Sequence, residues 1–106
     1  MITVTVSKKD DSYKEFLSRG HAGYAEEGQD IICAAVSALI ISTVNSLEIL
    51  TKDCFRLEEK DGYVRIRFPE GLTEGGKLLM DSLVLGLTEI EKSYSKQFLK
   101  VKVREV

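Results

Sequence analysis

The longest stretch without a charged residue, 31–47, limits the fold more strongly than any other feature of the sequence. Its apolar residues recur at intervals of three and four, which predicts one long helix from about Ile31 to Leu50. The stretch is 17 residues long and includes three serines and an asparagine, whereas a membrane-spanning helix needs about 20 mostly apolar residues. We therefore expect a buried core helix and no contact with a membrane.

Alternating apolar and polar residues predict strands on both sides of this helix. Before it we expect a strand over 2–7, a turn over 8–12, a strand over 13–19 and a loop over 20–28. After it we expect strands over 54–59 and 62–68 joined at Asp61-Gly62, a helix from a Thr73 cap to about Ser95, and a strand over 97–105. This β-β-α-β-β-α-β order predicts a single two-layer α+β domain over residues 1–106, with two helices packed on one face of a mixed sheet.

The charge balance argues against one class of partner. The chain has 15 Lys and Arg against 17 Asp and Glu, a net charge of −2, whereas nucleic-acid-binding domains are normally basic. We therefore expect no direct binding of nucleic acid. Basic residues do alternate along two predicted strands, at 65 and 67 and at 100, 102 and 104. Such strand faces are usually solvated, but they can also meet RNA or an acidic partner.

The few cysteines and the single histidine exclude several kinds of site. One histidine cannot form a multi-histidine metal site, and Cys33, Cys54 and His21 lack the spacing of a zinc site. The segment 71–77 resembles a phosphate-binding loop, but Leu78 stands where that loop requires Ser or Thr. We therefore expect no metal site. Two cysteines and no leader of the secretory type also favour the reducing cytoplasm.

One stretch carries residues with the chemistry of a nucleophilic site. Gly20-His21 ends a strand, and Cys33 stands in the first turn of the predicted helix, where free amides stabilise a thiolate and an oxyanion. An imidazole within reach would take the thiol proton. Asp30 can orient His21 or cap the helix, and Ser37 lies one turn beyond Cys33 on the same face.

Each of these residues also has an ordinary structural interpretation. A cysteine on an apolar helix with small side chains is usually a small core residue. A lone histidine is usually structural or solvated, and a serine within a helix often bonds the preceding turn. Spacing alone does not decide between these interpretations and catalysis.

The sequence resembles the ribosomal-processing cysteine protease family, Prp, at these residues. The family pattern is Gly-His-Ala, a glycine-containing loop, and then Gly-x-Asp-Ile-x-Cys-Ala-Ala-Val-Ser-Ala-Leu. This chain has Gly-His-Ala at 20–22 and the second part of the pattern, without departure, at 28–39. The resemblance covers about 20 of the 106 residues by motif, and beyond Leu50 it rests on length and element order.

The resemblance implies a cysteine endopeptidase with Cys33 as nucleophile and His21 as general base, supported by Gly20, Asp30 and Ser37. It implies that the substrate is the N-terminal extension of a large-subunit ribosomal protein precursor, and that the enzyme is a homodimer without a cofactor. The substrate peptide would bind as an extended strand beside the sheet or under the loop. Two other functions remain open: a non-catalytic ribosome-associated assembly or binding module, and a redox sensor that pairs Cys33 with Cys54.

Overall fold

The computed structural model describes residues 1–20, 29–94 and 98–106. Within them the chain forms five strands and two helices in the order predicted from the sequence. The elements are β1 (Ile2–Lys9), β2 (Ser12–Arg19), α1 (Gln29–Leu50), β3 (Arg56–Lys60), β4 (Tyr63–Arg67), α2 (Glu74–Tyr94) and β5 (Leu99–Glu105). Residues 21–28 of the predicted loop 20–28 lie outside the described residues, as does the predicted junction near Ser95 and Gln97.

The five strands form one mixed sheet in the order β3-β4-β2-β1-β5. Strand β1 pairs with β5 in parallel, and every other neighbouring pair is antiparallel. The β1–β2 ladder shifts register between Ser7 and Lys8, where a bulge lets the hairpin end twist. The predicted mixed sheet with two helices is therefore confirmed.

The core lies between the helices and one face of the sheet. Alternate residues of the strands point to this face because successive side chains of a strand point to opposite faces. The buried members of the strands include Val4, Val6, Phe16, Ile66 and Leu99, each 0 % exposed. Residues from both helices complete the same cluster: Ile32, Val36, Ile40, Val44 and Leu47 from α1, and Met80, Leu83 and Leu87 from α2.

The start of α2 is fixed by two polar side chains. The amide of Gly76 donates to the Thr73 hydroxyl at 3.2 Å, so Thr73 is the helix cap that the sequence predicts. Asp53 accepts bonds from both the amide and the hydroxyl of Thr73, each at 2.8 Å. A carboxylate therefore occupies the helix start that a phosphate loop would leave open for its anion, and the segment 71–77 leads into α2.

Several boundaries differ from the predicted ones by one or two residues, and two of the differences have a clear consequence. The first turn is a two-residue hairpin rather than 8–12, because Asp10 and Asp11 adopt φ of 50° and 68°, the left-handed values that a tight hairpin requires. Helix α1 begins at Gln29 rather than Ile31. Asp30 therefore lies inside the first turn of the helix instead of preceding it, a position where an acidic residue favours the helix dipole.

By length and composition alone, helix α1 is long and apolar enough to cross a membrane. Residues 31–50 have a mean hydropathy of 1.8, and 28 % of the most apolar window is buried. The Val36 side of the helix packs into the core described above. The helix is thus apolar on both its buried and its exposed sides, which a core helix alone does not require.

Candidate active site

A cleft of about 250 Å³ opens between α1 and the β3–β4 hairpin. Cys33, Val36, Ser37 and Ile40 form its helical wall. The opposite wall consists of hairpin residues 59–64, and the ends of β1 and β2 close its floor. The cleft therefore brings together parts of the chain that are far apart in sequence.

A second cleft of about 230 Å³ adjoins the first along the same helix. Ile40, Ile41, Glu59 and Val64 line both clefts, so the two form one groove between α1 and the inner side of the hairpin. The groove continues to Leu57 at its far end. Its walls combine an apolar surface with a few polar groups, Ser37 and Glu59 among them, a composition typical of peptide and ligand sites.

Cys33 stands on the groove wall as a half-buried free thiol. It is the fifth residue of α1, because the helix begins at Gln29. The sequence predicted a place in the first turn, but Cys33 opens the second turn. The amides without a helical partner belong to the first four residues, so the donors for an oxyanion lie just before Cys33 along the chain.

Gly20 lies on the floor of the cleft, at a backbone position that only glycine fits. Its φ is +99°, and a Cβ there would come within 2.2 Å of the Met1 carbonyl oxygen. Its amide donates to the carbonyl of Gly62 at 2.9 Å, which ties the end of β2 to the hairpin. The bond anchors the chain at the residue that immediately precedes His21.

The structure brings together three of the five predicted site residues, Gly20, Cys33 and Ser37, in one cleft. Ser37 is exposed and lies one helical turn beyond Cys33, as the spacing predicted. His21 lies outside the described residues. Asp30 is described only as part of the α1 backbone.

The hairpin wall was not predicted from the sequence. Four hairpin residues line the cleft: Glu59, Lys60, Asp61 and Tyr63. By strand alternation Glu59 points to the helix side, whereas the side chains of Lys60 and Tyr63 point to the opposite face of the sheet. The signal that could have found them is the Asp61-Gly62 turn, whose Gly62 has a φ of +68°. The turn identifies the hairpin, but only the strand order places it beside α1.

The structure excludes a disulfide between Cys33 and Cys54 within one chain. Seventeen helical residues separate Cys33 from Leu50, a rise of about 25 Å. The four residues from Leu50 to Cys54 span at most about 14 Å, and a disulfide needs Cα atoms within about 7 Å. A redox sensor that pairs these two cysteines within one chain is therefore excluded. Among the described residues, no group of three or more His, Cys, Asp or Glu could hold a metal ion.

Comparisons with known proteins bear on this cleft. A family model described as cysteine protease Prp matches residues 1–99. The chain belongs to the cysteine protease Prp family. A Bacillus subtilis protein named ribosomal processing cysteine protease Prp is 33 % identical over 101 residues, which cover 89 % of this chain and 90 % of that protein. The chain is therefore a cysteine protease of this family, as the resemblance implied.

Solved structures agree with this fold over nearly the whole chain. Prp from Staphylococcus aureus in complex with a substrate peptide has a TM-score of 0.91 and 26 % identity, and covers 98 % of this chain and 100 % of that one. A Streptococcus mutans protein has a TM-score of 0.84 and 33 % identity, with coverage of 100 % and 96 %. These likenesses confirm the predicted α+β fold and the Prp identification.

Proposed function

We propose that this protease removes the N-terminal extension of a large-subunit ribosomal protein precursor, using Cys33 as nucleophile and His21 as general base. The observation that carries the proposal is Cys33 on the wall of an apolar groove, within the family's own motif. Two kinds of relatives support it: the Bacillus subtilis protein is named for ribosomal processing, and the Staphylococcus aureus structure holds a substrate peptide.

The chemistry requires two groups. His21 removes the proton from the Cys33 thiol, and the thiolate attacks the carbonyl carbon of the scissile peptide bond. Amides at the start of α1 stabilise the oxyanion that forms. His21 then gives the proton to the leaving amine as the carbon–nitrogen bond breaks, which leaves a thioester on Cys33. A water that loses its proton to His21 hydrolyses the thioester and restores the thiol. None of these steps uses a metal or a cofactor.

Gly20, Asp30 and Ser37 have supporting roles in this mechanism. Gly20 fixes the chain direction before His21 through its bond to the Gly62 carbonyl. The Ser37 hydroxyl lines the same cleft as Cys33 and can donate to a substrate carbonyl. Asp30 orients His21 or adds negative charge to the first turn of α1, and these two roles predict different effects. Asp30→Asn lowers the pH at which activity appears only if Asp30 contacts the imidazole.

The substrate extension lies along the groove in an extended conformation. The groove runs beside β3, which is an edge strand of the sheet, so backbone bonding to the substrate is available there. Substrate peptides N-methylated at single amides test this binding mode. We expect methylation of alternate amides to weaken binding, because only alternate amides of an added strand face the sheet. Undiminished binding of every methylated peptide would rule out strand addition.

The exposed side of α1 is the surface through which two copies form a homodimer. Ile31, Ile41, Ile49 and Leu50 on this helix are between 57 % and 77 % exposed. Small exposed residues, Ala34 and Ala38, lie between them at helical spacing and allow close approach of a second helix. An apolar stripe of this kind on a protein surface marks an interface.

The compartment proposed for the enzyme is the cytoplasm.

A charge placed on the stripe tests the homodimer. Ile49→Glu should convert the dimer to a monomer in analytical ultracentrifugation, because it puts a carboxylate into an apolar contact. Leu85→Glu is the matched control, because Leu85 is 62 % exposed on α2. A wild-type protein that is monomeric at micromolar concentration, or an Ile49→Glu variant that still dimerises, would contradict this interface.

The activity itself is tested by incubating the protein with the full-length ribosomal protein precursor. We expect a shortened product by mass spectrometry and a free N-terminal peptide. A precursor already lacking the extension is the control and should stay intact. Absence of product from the correct precursor would overturn the proposal, and binding without cleavage would instead favour the assembly module.

A further inference from the structure

The sheet face turned away from the helices, called here the basic face, concentrates positive charge. Strand pairing aligns three outward residues from each of the five strands in three rows across this face. At one edge the rows begin with Lys100, Lys102 and Arg104 of β5, which are all exposed. Eight of the fifteen aligned residues are basic and two are acidic.

The other edge of the basic face, formed by β3 and β4, also carries exposed basic residues. Arg56 and Arg67 are paired in the register of β3 and β4, and both are exposed. Arg65 is next in the adjacent row and forms an ion pair with Glu15. Arg19 is exposed at the end of β2. Basic groups therefore extend over the full width of the sheet rather than along a single strand.

The net charge of the whole chain does not reveal the positive charge of the basic face. The face has a net charge of +6, and the whole chain has a net charge of −2, so the remaining residues carry −8. Charges of opposite sign are therefore segregated to different surfaces. Local potential, rather than total charge, determines whether a surface attracts a polyanion.

We propose that the basic face binds the phosphate backbone of a nucleic acid. A protein partner would find little to bury, because the face offers only half-buried Leu17 and Tyr63 as large apolar or aromatic groups. Protein interfaces have an apolar centre, whereas nucleic-acid interfaces are polar and positively charged. A second copy of the face would be repelled by the like charge.

The dimensions of the face fit several phosphates. Five strands about 4.8 Å apart give a width of roughly 19 Å, and the three rows lie about 6.8 Å apart along each strand. A nucleic-acid duplex carries one charge per about 1.7 Å of its axis. A backbone that crosses the sheet passes basic side chains on four of the five strands, and β1 contributes only Thr3, Thr5 and Ser7. The face lacks the several aromatic side chains with which RNA-binding sheets stack bases, so we expect little dependence on base sequence.

Fluorescence anisotropy with labelled oligonucleotides tests the proposal on the full chain. The probes are a poly(U) RNA strand, a poly(dT) strand of equal length and an RNA duplex, each titrated at several salt concentrations. For single strands, the logarithm of the affinity should fall with the logarithm of salt concentration by about 0.7 per phosphate contacted. Which probe binds most tightly identifies the form of nucleic acid that the face prefers.

Paired variants locate the binding surface. Lys100→Gln with Lys102→Gln should weaken binding about tenfold at low salt and reduce the salt slope by about 1.4, since each lysine accounts for about 0.7. Lys52→Gln with Lys92→Gln removes the same charge from exposed residues outside the face and should leave the slope unchanged. Both variants should cleave a short peptide like the wild type, because the groove lies on the helix side of the sheet.

Three results would overturn the proposal. The first is that no probe binds at low salt, and the second is that both double variants lose the same amount of binding. The third is that polyglutamate of matched charge binds as tightly as the oligonucleotides. The last result would identify a surface for acidic proteins. A protein that binds RNA but fails to cleave the precursor would leave this proposal intact and remove only the proposed protease substrate.

Discussion

The two helices cover the same face of the sheet but differ in what they expose. Helix α1 has no charged residue between 31 and 47 and exposes an apolar stripe, whereas α2 carries charges along its length. The start of α2 is fixed by Thr73 and Asp53. In the proposed function the exposed and groove-lining residues of α1 serve binding and chemistry, while the cap of α2 fixes the start of that helix. Substitutions in the two helices should therefore have separable effects.

The largest expected effect is on α1 and concerns activity alone. Cys33→Ala should reduce peptide cleavage at least about 10⁴-fold, because it removes the proposed nucleophile. Its free energy of unfolding should change by less than about 1.5 kcal/mol, because only one half-buried sulfur is lost. Cleavage rates and urea denaturation measure the two quantities. Cys54→Ala, at an exposed cysteine, is the control and should keep full activity; equal losses in both variants would contradict the assignment.

The second effect is on α2 and concerns stability alone. Leu83→Ala should lower the free energy of unfolding by about 3 kcal/mol, because Leu83 is 2 % exposed in the core. Urea denaturation gives the value, and Leu85→Ala at an exposed position should change it by less than about 0.5 kcal/mol. The rate of cleavage per folded molecule should stay unchanged. A specific loss of turnover in the folded Leu83→Ala enzyme would show that the two helices are not separable.

A third test addresses the start of α2. A Cβ at Gly76 would lie 2.0 Å from Oδ2 of Asp53, so Gly76→Ala should destabilise the fold by about 2 kcal/mol. Asp53→Ala removes both the obstacle and the bonds to Thr73, and should cost about 1 kcal/mol alone. The double variant should be more stable than the sum of the two costs predicts. Denaturant titrations of the four proteins measure the coupling, and strict additivity would rule out the clash.

The smallest expected effect concerns the bond that joins α2 to the sheet. Tyr13 donates its hydroxyl to Asp81 at 2.5 Å, and burial together with that carboxylate raises the pKa of Tyr13 well above its ordinary value of 10. The folded state therefore binds the phenol proton more tightly than the unfolded state. The resulting stability is complete below pH 10 and is lost as the pH rises through the folded pKa.

Tyr13→Phe tests this alkaline contribution. The variant should lose less stability than the wild type between about pH 10 and pH 11, because its ring has no proton to release. Unfolding measured at several alkaline pH values gives the comparison. Parallel stability curves for the two proteins over this range would contradict the raised pKa of Tyr13.

The sequence predicted the elements because their patterns are local. Apolar residues that recur every second residue located the strands, and those that recur every three to four residues located the helices. Asp61-Gly62 correctly predicted a turn, and Thr73 correctly predicted a helix cap. The family motif singled out Cys33, and its spacing placed Ser37 in the same cleft. The roles of both residues, like that of His21, remain predictions.

What the sequence could not predict depends on contacts between distant segments. The hairpin wall of the cleft follows from β4 pairing with β2, which no local pattern encodes. Gly20 needs to be glycine because of the Met1 carbonyl, nearly twenty residues earlier. The basic residues of two strands were noted from the sequence, but only the strand register joins them into one face. The predicted helix start was wrong because polar Gln29 and Asp30 extend α1 beyond its apolar pattern.

The parallel pairing of β1 with β5 has a consequence for biosynthesis. Residue 2 pairs with residue 99, so one side of β1 has no partner until β5 has left the ribosome. An unpaired strand is a template for pairing with other chains. The nascent chain therefore goes through a vulnerable interval in which its first hairpin is complete but its sheet is open. Chaperones or high translation speed should improve the yield of this protein more than that of a domain whose strands pair only with sequence neighbours.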